Sequence, residues 1–249
     1  MSKFILTFIL LCFLFISCDK NDPDLTGKGS LELVFKARFD TQAMVQGSQN
    51  VYDYFGQGTI YFDRADILYS DLKLQSSTNS VLVKDVDYVS LMQHHTSIAL
   101  AEEGLKVKFE NIPSGSYDSL HFNVGLTPDQ NKTKPADYSL THPLAEGTRY
   151  WSAWNSYIFS KTEGIFNNGM NNPFTYHSGF DGAMQSLRFV KNIAINDNQI
   201  TKIEIWIDYK KLFEEGATGI DIPNNSQIHN MSSLMLSFMN RFQNAVSIK

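Results

Sequence analysis

The sequence predicts an all-β fold: an antiparallel Greek-key (immunoglobulin-like) β-sandwich with a C-terminal helix. Three observations predict it. Apolar and polar residues alternate in many short runs, as in Leu31, Leu33, Phe35, Ala37 and Phe39, which is the period of a half-buried strand. Turns rich in Gly, Asn and Pro separate the runs. The period lengthens only near the C-terminus, where Met231, Leu234, Met235, Phe238, Met239 and Phe242 fall at helical spacing. Many short strands followed by one helix form the pattern of a packed sandwich.

Taken in order, 31–39 is the first strand, followed by a polar loop holding Gly47, Gly56 and Gly58. Thr59 to Phe62 and Ala65 to Gln75 read as separate strands, with Leu68, Leu72 and Leu74 on one face of the second. Val81 to Val83 and Val86 to Met92 are short strands, and Gln93-His94-His95-Thr96 reads as a solvated loop. Gly104 to Glu110 alternates with Leu105, Val107 and Phe109 inward. Pro113-Ser114-Gly115-Ser116 is a turn, because proline fixes φ and glycine permits positive φ. Tyr117 follows it directly, a position from which a tyrosine hydroxyl often anchors a sandwich corner.

The segment from Thr127 to Thr148 is a long polar loop with three prolines, and loops of that length tend to carry function. Tyr150 to Gly179 is then the most aromatic part of the chain. Strand alternation puts Trp151, Ala153, Asn155, Tyr157 and Phe159 on one face. An aromatic strand of a β core and the wall of a pocket are both consistent with that pattern. Ser186 to Ile195 and Ile200 to Tyr209 read as a hairpin across Asn196–Gln199. Lys210 to Glu215 is one helical turn stopped by Gly216, and Ser226 or Asn230 is the candidate cap of the last helix.

The first 17 residues carry Lys3 and then a nearly unbroken apolar run from Phe4 to Ile16, the pattern of a secretory signal too short to span a bilayer. Phe15-Ile16-Ser17-Cys18 resembles a bacterial lipobox, which implies cleavage before Cys18 and lipidation of its sulfur. The expected organisation is a signal peptide over 1–17, a lipidated tether over 18–29 and a domain over 30–249. Cys12 and Cys18 are the only cysteines, so the domain itself offers no disulfide, thiol nucleophile or cysteine metal ligand. With a net charge of −5 and no basic run, no nucleic-acid partner is expected.

No GxSxG, HExxH, P-loop or GxGxxG motif is present, and no carboxylate pair stands out, so a binding protein rather than an enzyme is expected. The six histidines are His94, His95, His121, His142, His177 and His229; imidazole suits copper and zinc. His121 lies opposite the Leu120, Phe122 and Val124 face. His142 sits in the long loop, within reach of the tryptophan strand, and His177 lies between Tyr176 and Gly179 in a half-buried setting. Their spacing shows no chelate.

Several stretches together resemble the MbnP-like copper-binding periplasmic proteins, named for their association with methanobactin. They are ADILYSDLKL, PSGSYDSLHFNVGL, the following Asn131 loop, YWSAWNSYIFSKTEG with FTYHSG, and IHNMSSLMLSFMNRF. Trp151 matches the first tryptophan of that family's W-x-W-x-x-G-Y pattern, and His177 matches the histidine of its F-x-x-H-x-G pattern. The second tryptophan of the pattern falls on Ala153, with Trp154 displaced by one, and its glycine falls on Ser156. Ala37 stands near the place of a histidine that family members often carry in the first strand.

The resemblance implies a secreted β-sandwich that holds copper through histidines. It also implies a tryptophan converted to kynurenine by a di-haem enzyme of the cytochrome-peroxidase type. For this chain it points to His177 as a ligand, His121 or His142 as a second, and Trp151 as the modified or pocket-lining residue, with Trp154 beside it. With the lipid on Cys18, the expectation is an outer-membrane lipoprotein on the periplasmic or cell-surface face. The alternative is a metal-free surface lipoprotein that binds a glycan or a protein partner through the aromatic strand and the polar loop.

Overall fold

Strand β1 (Lys28–Phe39) sets the architecture. Its alternating Leu31, Leu33, Phe35, Ala37 and Phe39 are all buried, each large side chain contributing about 1.5–3 kcal/mol when withdrawn from water. The computed structural model describes residues 27–249, so the expected signal peptide, the lipobox and Cys18 lie outside the described residues. The strand starts at Lys28 rather than Leu31 because the 196–199 turn holds it: Ser30 N–H donates to Gln199 O at 2.8 Å and Asn198 N–H to Lys28 O at 2.9 Å.

The elements follow in order. β2 is Gln42–Ala43, β3 Tyr52–Asp53, β4 Thr59–Gln75 and β5 Ser80–Ser90. Helices α1 (Leu91–His94) and α2 (Ile98–Glu103) precede β6 (Leu105–Pro113) and β7 (Gly115–Val124). After α3 (Pro128–Asn131) and three short 3₁₀ turns come β8 (Tyr150–Trp151), β9 (Ser156–Asn167), β10 (Asn171–Gly179), β11 (Gln185–Ile195) and β12 (Ile200–Asp208). The chain closes with α4 (Tyr209–Phe213), β13 (Gln227–Ile228), α5 (Ser233–Asn240), α6 (Phe242–Ala245) and β14 (Val246–Ile248).

Two sheets make an all-β sandwich. The smaller runs β14-β12-β1-β2, with β6 also on β1. The larger runs β11-β7-β4-β9-β10-β13, with β3 and β5 on β4 and β8 on β9. Most pairs are antiparallel, but β1 pairs with β12 in parallel, Ser30 opposite Ile200 through Arg38 opposite Asp208. Between the sheets Phe62 sits within 6 Å of the rings of Phe39, Phe174, Tyr209 and Phe213. Among the described residues no helix is long and apolar enough to cross a membrane.

Several expectations need correction. β4 is one 17-residue strand. The Asp63-Arg64 interruption of its apolar pattern is a bulge, where pairing with β9 slips between Phe62 and Arg64. β5 is likewise continuous. His95 is fully buried, not solvated: its Nδ1 lies 3.1 Å from Met44 O, and burial pushes its pKa down to about 4. β11 and β12 are not a hairpin. β11 pairs with β7 in the large sheet and β12 with β1 in the small one. The four-residue turn arches between sheets, so the apolar rows of both strands face one core.

The aromatic stretch is not one strand either. The chain reverses over 152–155, and β8 folds back on β9 with Trp151 opposite Ser156. Asn155 takes φ 51°, which asparagine tolerates at low cost. At the C-terminus Ser232 caps α5, accepting from Met235 N–H at 3.1 Å, and Met231 stands outside the helix on the surface.

Candidate metal centre

The site forms where β10 lies between β9 and β13. His177 and Lys161 are directly opposed on β10 and β9, and Thr175 opposes Glu163, so these four side chains share the outer face of the large sheet. β13 joins the other edge of β10 in parallel, with Thr175 opposite Gln227 and Tyr176 opposite Ile228. Continuing that register brings His229 beside His177. Their ring centres are 5.0 Å apart.

His177 Nε2 is 2.7 Å from Glu163 Oε1, and Glu163 also faces Arg64 at 3.6 Å. The bond to His177 holds the Glu163 carboxyl below the usual carboxylate range, with Arg64 adding to it. Facing a carboxylate, Nε2 is the donor of that contact, and Nδ1 is the nitrogen left to face a metal. That Nδ1 is buried and meets no partner, and the same is true of His229 Nε2. Burial, then the neighbouring His177, push the pKa of His229 down, in favour of the neutral ring. Two buried, unpaired imidazole nitrogens on neighbouring rings are costly unless something satisfies them. They are the donor set a soft or borderline metal takes.

The tryptophans close this place. Trp151 lies 5.1 Å from His229 and 5.9 Å from His177, ring centre to ring centre. Trp154 stacks on Trp151 at 4.7 Å and 11°, and its Nε1–H donates to His229 O at 2.9 Å. Phe180 packs on Trp154 at 4.9 Å. Lys161 Nζ donates to Thr148 O at 2.6 Å, which ties down the segment leading into Trp151. Among the described residues no group of three or more His, Cys, Asp or Glu side chains is placed to hold a metal ion; the third side of the pair is Trp151.

His177, Trp151 and Trp154 are thus brought together. His121 is not with them: β4 and β9 separate its strand from β10. It bonds Ser119 Oγ at 2.9 Å, and burial together with Arg188 and Lys73 lowers its pKa, a poor setting for a cation. His142 is held elsewhere, flat on Tyr138 at 4.1 Å and accepting from Leu144 N–H at 3.2 Å. The residue that sequence reasoning missed is His229. Its one local signal is an apolar neighbour on a short β run, Gln227-Ile228. Its partner is set by a parallel pairing that no local pattern encodes.

The comparisons with known proteins bear on family and fold. A family model described as MbnP matches residues 28–234. Among solved structures the chain resembles MbnP from Methylosinus trichosporium, with a TM-score of 0.50 and 12% sequence identity over 78% of this chain and 83% of that one. No curated protein sequence matches. The family match spans most of the chain, from the first residue of β1 into α5, and the chain belongs to the MbnP family.

Proposed function

We propose that this chain is a copper-binding protein of the cell envelope, not an enzyme, and that His177 Nδ1 and His229 Nε2 hold the metal. The observation that carries the reading is the pair of buried nitrogens with no protein partner, on rings 5.0 Å apart. Glu163 orients His177 and raises its basicity, as a carboxylate behind a metal-bound histidine does. Trp151 borders both rings. The resemblance to copper-binding relatives supports reading it as the residue converted to kynurenine by a di-haem enzyme of the cytochrome-peroxidase type. The carbonyl and aniline nitrogen of an opened ring at that position would lie beside the two imidazoles and supply further donors. Cys18 would carry the lipid that keeps the domain at the outer membrane.

The test is a copper titration of the chain with Cys18→Ser, made with and without co-expression of a di-haem partner, with the intact mass read on each. Stoichiometric copper lost in His177→Ala and in His229→Ala supports the reading. A mass change at Trp151 seen only with the partner supports the kynurenine step. Failure to take up copper in both preparations overturns it and favours a glycan or protein ligand.

A further inference from the structure

The side chain that fastens the tryptophans to the histidines touches neither ring of the histidine pair. Asn131, the last residue of α3, is 5% exposed. Its Oδ1 accepts from Tyr157 N–H at 2.9 Å and from the Ser156 hydroxyl at 3.1 Å. Its Nδ2 donates to Asp181 Oδ1 at 2.8 Å. Ser156 Oγ in turn accepts from Phe180 N–H at 3.0 Å. One amide therefore joins the base of the tryptophan hairpin to the residues that follow β10, the strand that carries His177.

The junction has little slack. A Cβ on Gly179 would stand 2.5 Å from Tyr157 O and 3.2 Å from the Trp154 ring, so the two segments touch backbone to backbone. The next residue, Phe180, adopts φ 70° and ψ 151°, a region that side chains other than hydrogen rarely occupy. Such strain persists only where surrounding contacts over-determine it. Here those contacts are the Ser156 bond to its N–H and the stacking of its ring on Trp154.

We infer that Asn131 is the positioning residue of the metal centre, setting the Trp151–Trp154 stack against His177 and His229. The inference rests on the copper reading above for its consequence, but not for its geometry. If Asn131 only closed a surface loop, its replacement would lower thermal stability and leave the folded site as it was.

Asn131→Asp keeps the accepting oxygen, removes the donor and sets a second carboxylate against Asp181. Asn131→Asp combined with Asp181→Asn restores one donor and one acceptor across the same contact. Two readouts are needed, both on protein made without the di-haem partner so that Trp151 keeps its indole: the exciton couplet of the stacked indoles in circular dichroism, and Cu(I) affinity against a competing chelator. The expected result for Asn131→Asp, still folded by far-ultraviolet dichroism, is loss of most of the couplet and about 10–100-fold weaker copper, the range for residues that orient a ligand shell. The double variant recovers both. Ser156→Ala, a milder cut in the same network, weakens both in the same direction and serves if Asn131→Asp does not fold. Unchanged couplet and affinity in a folded variant overturn the inference, as does a lost couplet with unchanged affinity or a double variant without recovery. If the wild-type protein takes no copper while the couplet still falls and recovers, the copper reading fails and the positioning of the indole pair stands.

Discussion

His177 on β10 and His229, the residue just after β13, sit side by side, each with a buried nitrogen that no protein atom satisfies. On the proposed copper reading, that relationship gives them equal weight although they lie 52 positions apart in the chain. His229→Ala is expected to reduce copper affinity as far as His177→Ala does. His121→Ala and His142→Ala should leave it within about threefold of wild type, since β4 and β9 stand between His121 and the pair and Tyr138 holds His142. Competition titration with a Cu(I) chelator reads all four, and a larger loss in His121→Ala than in His229→Ala would move the site.

Glu163 acts through His177, so charge and hydrogen bonding are separable there. Glu163→Gln still offers an oxygen to Nε2–H and is expected to weaken copper about tenfold. Glu163→Ala frees the ring and should fall toward the 100-fold end of the range for such partners. Wild-type affinity in both variants would remove Glu163 from the site.

His95 makes stability depend on pH. Its folded-state pKa is about 4 against an ordinary 6.5, so the unfolded chain binds a proton that the folded chain refuses. Its contribution is complete above pH 6.5 and is lost as pH falls from 6.5 toward 4, at most roughly 3 kcal/mol. Denaturant midpoints measured across that window should rise with pH, and His95→Asn should flatten the slope. An unchanged slope in His95→Asn would assign the dependence to other groups.

Phe62 is the hub of the aromatic core, with Phe39, Phe174, Tyr209 and Phe213 around it. Phe62→Ala is expected to cost about 3–5 kcal/mol, against about 1 kcal/mol for Ser232→Ala at the cap of α5. Equilibrium denaturation distinguishes the two, and a Phe62→Ala cost as small as that of the cap variant would show that the core collapses around the gap.

What the sequence shows is what is local. The inward face of β1 follows from alternation alone, and the Tyr117 hydroxyl does bond back to Pro113 O at 2.8 Å, as its place after the turn suggests. The helical spacing of Leu234, Met235, Phe238 and Met239 is α5. What it hides is non-local. Nothing around Asn196–Gln199 distinguishes a hairpin from an arch, because both need the same turn residues; the choice is made by β1, which captures β12. Alternation would put Trp151 and Trp154 on opposite faces of a strand; the turn between them, with Trp154 N–H donating to Trp151 O at 3.0 Å, stacks them instead. His229 joins the site through a two-residue strand too short to leave a period.

The parallel pairing of β1 with β12 also governs when the fold can exist. Lys36 meets Glu204 across a separation of 168 residues, so the first strand to emerge during synthesis has no permanent neighbour on that side until nearly the whole chain is made. Long-range pairing of this kind slows folding and leaves apolar strand surface open in the meantime. Until β12 arrives, that edge of β1 stays open to pairing with any other strand. Deleting β12 and everything after it should therefore leave the remaining chain soluble only while something else covers Leu31, Leu33 and Phe35.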